Sequence, residues 1–156
     1  MMYDHVQYAP LHWIVHAAGA YCVASAWWTK DVPTISFVLL AVSLLFFALG
    51  LMFRYLEISD EGEFLAVRFG PIRLFGTRIR YSDMTSVEKS RSSVLDGWGI
   101  HYIPGRGTTF NLWGFDCAKL MVKGRTIRLG SDDADNLVAF LDSKIFTQEP
   151  AERAAS

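Results

Sequence analysis

Two long apolar runs open the chain, and the pattern then changes to short alternating segments. Leu11 to Trp28 is 18 positions without Lys, Arg, Asp or Glu, and Thr34 to Phe53 is another 20, richer in Leu, Val and Phe. As helices at about 1.5 Å rise per residue they measure about 27 and 30 Å, close to the roughly 30 Å hydrocarbon core of a bilayer. Only Thr29-Lys30-Asp31-Val32-Pro33 lies between them, room for a tight turn between antiparallel helices. The pattern therefore predicts a transmembrane helical hairpin over residues 11–53 (11–28 and 34–53), with residues 1–10 as an N-terminal tail. A cleaved signal peptide ending near Ala24-Ser25-Ala26 fits less well, because residues 1–10 contain no Lys or Arg to form its basic start.

From Tyr55 the period drops to two, the signature of half-buried strands. Leu56 and Ile58 alternate with Glu57 and Ser59 before the turn Asp60-Glu61-Gly62, and Leu65, Val67 and Phe69 continue until Gly70-Pro71. Further short strands are predicted around Ile72 to Leu74, Thr77 to Tyr81, Thr85 to Arg91, Gly97 to Ile103 and Thr108 to Leu112. Ala118, Leu120 and Val122 pair with Ile127 and Leu129 across Lys123-Gly124, where glycine supplies positive φ. The series ends in a helix: Ala134, Leu137, Val138, Leu141 and Ile145 share one face at helical spacing, with Ser131 or Asp132 as its cap. Three aspartates stand at this helix start, where carboxylates complement the dipole, and they are read as capping rather than as a metal site. Residues 147–156 are polar and predicted to fray as a tail.

About seven antiparallel strands closed by one amphipathic helix, over residues 54–146, resemble the bacterial pleckstrin-homology-like (PH-like) domains. The likeness rests on Phe69-Gly70-Pro71, on Tyr81-Ser82-Asp83-Met84 leading into a strand, on Gly97-Trp98-Gly99-Ile100, and on Val122 to Gly130 followed by the acidic cap and helix. The resemblance implies an α+β, mainly β, domain acting as a scaffold or binding module behind two transmembrane helices. Phosphoinositide-binding members gather basic residues around the first hairpin, where this chain has Asp60-Glu61-Gly62-Glu63.

Charge places the domain. The formal net charge is −1, yet residues 1–53 hold only Asp4, Lys30 and Asp31, so the remainder is electrically balanced and lacks the positive field of a nucleic-acid binder. Arg54, Arg68 and Arg73 after the second run outweigh the single Lys30 of the turn, which puts both termini and the domain on the cytoplasmic side of the inner membrane. Trp13, Trp27, Trp28 and Tyr55 fall at the ends of the helices, where amphipathic rings anchor in the headgroup layer.

Candidate chemistry is sparse. His12 and His16, spaced i, i+4, are the best candidates to hold a metal or haem, but no carboxylate or cysteine accompanies them, and the expectation is neither metal nor cofactor. No nucleophile elbow, HExxH or phosphate loop appears, which points away from an enzyme. Cys22 and Cys117 are expected not to pair. Arg73, Arg78 and Arg80, with Lys89 and Arg91, form a candidate basic face toward anionic lipid or a partner. Ala18, Cys22 and Ala26 allow close approach of another helix. The function expected is a membrane-anchored module that recruits another protein. The alternative is an accessory subunit, or a homo-oligomer, assembled through its helices, and a haem carrier or anionic-lipid sensor stands further back.

Overall fold

The computed structural model describes the backbone of residues 2–72, 74–93 and 97–155, and side chains as far as residue 146. Helices α1 (Leu11–Trp28) and α2 (Pro33–Met52) form the hairpin the apolar runs predict. The turn between them is closed by Thr29, whose N–H and Oγ1 both donate to the Ser25 carbonyl (3.0 and 2.9 Å), and by Ser36 Oγ, which donates to the Thr29 carbonyl at 2.8 Å. Small residues let the helices touch. Gly19 lies against Phe46 and Phe47, Ser43 Oγ donates to the Gly19 carbonyl at 3.0 Å, and Gly50 faces the His16 ring. Of the predicted small-residue stripe, Ala26 is buried and Cys22 half-buried, and Gly19 joins them. Among the described residues only α2 is long and apolar enough by itself to cross a membrane; α1, diluted by His12, His16, Tyr21 and Ser25, falls short of the expected second span.

Residues 1–10 are not a tail. Strand β1 (Asp4–Tyr8) pairs antiparallel with β2 (Tyr55–Asp60), from Asp4 opposite Ser59 to Tyr8 opposite Tyr55. Periodicity could not find it because its inward side chains are polar: Gln7 is 3% exposed and His5 half-buried, while Val6 and Tyr8 point out. Strands β3 (Phe64–Phe69) and β4 (Phe75–Arg80) complete a first sheet in the order β1-β2-β3-β4.

A single 3-10 turn, Tyr81–Asp83, leads to the second sheet. It contains β5 (Met84–Arg91), β6 (Gly99–Ile103), β7 (Gly107–Asn111), β8 (Asp116–Val122) and β9 (Arg125–Gly130), in the order β5-β8-β9-β7-β6. The β8–β9 turn is as expected, with Lys123 at φ +49° and Gly124 at φ +74°, the paired positive values of a two-residue hairpin loop. Two expectations are corrected: the described residues hold nine strands rather than about seven, and β7 pairs with β9 in parallel. The parallel pair arises because β8 and β9 form their own hairpin, and the free edge of β9 accepts β7 running the same way.

The core lies between the sheets, built from Leu56, Ile58, Leu65, Val67, Phe69, Leu120 and Leu129. It is covered by α3 (Ala134–Ala155), which buries Ala134, Leu137 and Leu141 and packs Val138 and Ile145 at the rim, the predicted face, with Phe140 in addition. Asp133, whose carbonyl accepts the Leu137 N–H at 3.1 Å, stands at the cap position expected for Ser131 or Asp132, and Ser131 Oγ accepts the Asp133 N–H at 3.0 Å in the turn just before it. The α3 backbone continues helical to Ala155, where fraying was expected from residue 147. The fold is thus mixed α+β, and no disulfide joins Cys22 to Cys117.

Candidate functional site

The informative region is the root of the hairpin. Only Ala9-Pro10 joins β1 to α1, and only Phe53-Arg54 joins α2 to β2, so both helix ends run directly into neighbouring strands. The Tyr8 and Tyr55 rings meet at 5.7 Å across that pair, and Ala9 is buried. Phe53, at the end of α2, sits edge-on to Phe69 (5.5 Å) and stacks with Phe75 (6.1 Å). A side chain at Gly70 would run into the carbonyls of Leu51 and Met52, so the β3–β4 turn is pressed against the helix end. Ile72 and Leu74 in that turn are exposed, Leu74 to 70%.

On the other side of Phe53 a half-open apolar cavity of about 250 Å³ separates the helices from the second sheet, with Leu11, Val15, Leu49, Phe53, Trp98 and Leu112 in its wall. Trp98 stacks on Trp113 with ring centroids 4.7 Å apart. Two buried amides hold the loop carrying Trp113: Gln7 Nε2 donates to the Trp113 carbonyl and Asn111 Nδ2 to the Gly114 carbonyl, each at 3.0 Å. Their own oxygens, Gln7 Oε1 and Asn111 Oδ1, are buried without a donor among the described residues. This loop is therefore fixed at the expense of two unmet acceptors.

His12 and His16 serve the hairpin. His12 Nδ1 donates to the Ala9 carbonyl and His16 Nδ1 to the His12 carbonyl, both at 2.6 Å. A carbonyl only accepts, so each imidazole carries a proton on Nδ1. The rings lie edge-on at 5.8 Å, and His16 also packs on Phe47. Among the described residues no three His, Cys, Asp or Glu side chains gather to hold a metal ion. Trp13, Trp27 and Trp28 are exposed at the two ends of α1, while Tyr55 is half-buried at the hairpin root.

The basic face is divided. Arg73 lies outside the described residues. Arg78 and Arg80 share one face of β4, but Lys89 and Arg91 belong to the other sheet, beyond the 3-10 turn. The acidic hairpin takes up the first sheet's cations: Arg68 bridges Glu57 (3.3 Å) and Glu61, and Arg78 Nε meets Glu61 at 2.9 Å. Arg80 lies over the Phe64 ring at 5.2 Å. Lys89 pairs with Asp135 and Arg91 with Asp116. The pattern of alternating strands did not reveal these partners, since cross-strand neighbours depend on register.

A second polar cluster was not foreseen. Asp60 accepts from Tyr81 Oη (2.9 Å), the Gly62 N–H (3.0 Å) and Lys144 Nζ (2.9 Å), which also lies over the Tyr81 and Phe140 rings. Burial by itself raises the pKa of Asp60, but Lys144 and the two hydrogen bonds outweigh it and hold the carboxyl below its usual range. Tyr81 is pushed up, first by burial and then by its bond to Asp60.

The sheet edges differ in kind. β1 carries Asp4, and side chains on and just before it reach the Trp113 loop and the acidic turn: Gln7 to the Trp113 carbonyl (3.0 Å), Tyr3 to Asp133 (3.3 Å) and His5 to Asp132 (2.6 Å). β5 packs against α3, and β4 carries arginines. β6, Gly99-Ile100-His101-Tyr102-Ile103, contains no Lys, Arg, Asp or Glu, and exposes Ile100 and Tyr102, the latter to 72%. Comparisons with protein-family models, curated proteins and solved structures give no match.

Proposed function

We propose that this protein is a membrane-mounted binding module of PH-like type, which holds its β domain on the cytoplasmic face and takes a partner protein on the β6 edge. The observation that carries the reading is the uncharged β6 edge. Natural edge strands are blunted by charge, proline or cover because their free N–H and C=O groups recruit other strands. The other edges here carry charge or pack against α3; among the described residues β6 instead offers Ile100 and Tyr102 beside backbone that no strand pairs, the arrangement used in strand addition.

The membrane part rests on α2 and on β1. Only 11% of the most apolar stretch of α2 is buried, whereas a core helix would be mostly covered. Phe37 and Leu44 are 74% and 71% exposed, apolar surface of the kind that faces lipid. The β1–β2 pair keeps both ends of the hairpin on one side, so a spanning α2 carries its packed partner α1 across with it. Two sheets capped by a C-terminal helix support the PH-like reading. The ionisable side chains of the domain are largely spent in structural pairs, which favours binding over catalysis.

The test uses the full chain in its native membrane. A photoactivatable side chain at Tyr102 is expected to give a discrete protein adduct that Ile100→Lys abolishes; no adduct, or one indifferent to that charge, overturns the edge assignment. In intact cells, with Cys22 and Cys117 replaced, an impermeant thiol reagent should label Asp31→Cys but not Lys123→Cys. Labelling of Lys123→Cys reverses the orientation.

A further inference from the structure

We infer that the cavity at the hairpin root is a lipid site that receives one acyl chain from the surrounding bilayer. The inference rests on the membrane reading above and goes beyond it, because a domain that is merely tethered has no need of a hole beside its anchor.

Position identifies the occupant. The wall combines the first turns of α1 (Leu11, Val15), the last turns of α2 (Leu49, Phe53) and two residues of the β domain, Trp98 and Leu112. If α2 spans, those turns lie where the acyl region gives way to headgroups, so lipid is the apolar molecule at hand. The wall is hydrocarbon and aromatic apart from His12, whose Nδ1 is already engaged with the Ala9 carbonyl. A dry apolar cavity of about 150 Å³ suffices for a benzene-sized guest, and drug-sized ligands need about 300 Å³ or more. At about 250 Å³ the space suits a length of chain rather than a whole polar ligand.

The surroundings agree. Trp98 and Trp113 stand stacked and partly exposed on this side, and interfacial membrane depth is where indoles gather. The loop carrying Trp113 is held by Gln7 and Asn111, each of which leaves its own oxygen without a donor among the described residues. Across Phe53 the exposed Ile72, Leu74 and Phe75 continue the apolar rim. The domain thus meets the bilayer with a ring of apolar side chains around the helix ends, and the cavity is a recess in that ring lined from both helices and the second sheet. Lipid selection here acts through chain packing, unlike the headgroup recognition that Arg78 and Arg80 were candidates for.

The experiment reconstitutes the full chain into phosphatidylethanolamine and phosphatidylglycerol bilayers doped with a phosphatidylcholine bearing a diazirine midway along one acyl chain, and maps adducts by mass spectrometry. Adducts are expected on Phe37 and Leu44 of the outer hairpin face and also on Trp98 or Leu112. Filling the cavity with Leu49→Trp, or independently with Val15→Trp from the other helix, should cut the domain adducts about tenfold, the binding of roughly two buried methylenes, and leave those on Phe37 and Leu44 unchanged. Adducts on the helices but not on the domain overturn the inference and leave the membrane reading standing. Domain adducts that neither filling variant reduces show lipid touching Trp98 from outside, and also overturn it. Absence of helix adducts removes the membrane reading itself. A non-lipid small molecule retained in native mass spectrometry and lost on filling assigns the cavity to another guest and refutes the lipid assignment.

Discussion

At the scale of single residues, Asp60 combines two jobs that the sequence presents as one. It ends a strand at a turn, and its carboxylate, 6% exposed, also ties Tyr81 of the 3-10 turn and Lys144 of α3 to the first sheet. Since its folded pKa lies below the unfolded value of about 3.9, its contribution is complete above that value and is lost as pH falls through the folded one. The melting temperature of the solubilised full chain should therefore drop in acid below about pH 4, and Asp60→Asn should lower stability by about 2 kcal/mol at neutral pH while flattening that acid dependence. An Asp60→Asn protein with unchanged melting and an unchanged acid limb would show that the cluster contributes nothing. Gly50 is similar in the hairpin. A methyl group there would lie 2.5 Å from His16 Cε1, so Gly50→Ala must push the ring off its bond to the His12 carbonyl. Gly50→Ala should destabilise the hairpin by roughly 1 to 3 kcal/mol, and His16→Ala in the same chain should recover most of it, a coupling that a double-mutant cycle measures.

At the scale of elements, legibility follows the hydrophobic period. The two helices and their turn, the β8–β9 hairpin and the buried face of α3 were all written in the spacing of Leu, Val, Ile and Phe. β1 was not, because it inserts His5 and Gln7 and its partner lies beyond both helices. The charge pairs escaped for the same reason: Arg78 meets Glu61 only once β3 and β4 are in register, and Asp60 meets Lys144 only once α3 is docked. The cavity was invisible because its wall comes from four separate stretches of chain. The hidden strand changes what a soluble version of the domain requires. Residues 55–146 alone would leave β2 as an unpaired edge and uncover the space filled by Tyr3, Gln7 and Ala9. That fragment should aggregate, whereas residues 2–8 joined to 55–155 by an Asn-Gly turn should fold as a soluble β-rich protein, because Tyr8 and Tyr55 already stand opposite one another. Circular dichroism and gel filtration of the two chains decide the matter; a well-folded 55–146 fragment would show β1 to be dispensable.

At the scale of the whole molecule, the helical hairpin is an insertion in the turn of a β-hairpin. The domain is thereby clamped by two strands instead of hanging from one, and its charges are balanced largely within itself. This topology also orders biosynthesis. β1 leaves the ribosome well before β2 and has no partner until α1, the Thr29–Val32 turn, α2 and finally β2 have followed, a wait on the order of seconds at ordinary rates of synthesis. If the hairpin spans a bilayer as proposed, a chain that threads only one helix strands β1 on the far side from β2, with the Gln7 amide and the inner faces of Leu56 and Ile58 uncovered. Completion of the first sheet would in that case record that both helices went in, and a quality-control protease that recognises exposed strand edges would spare only the chains that carry it.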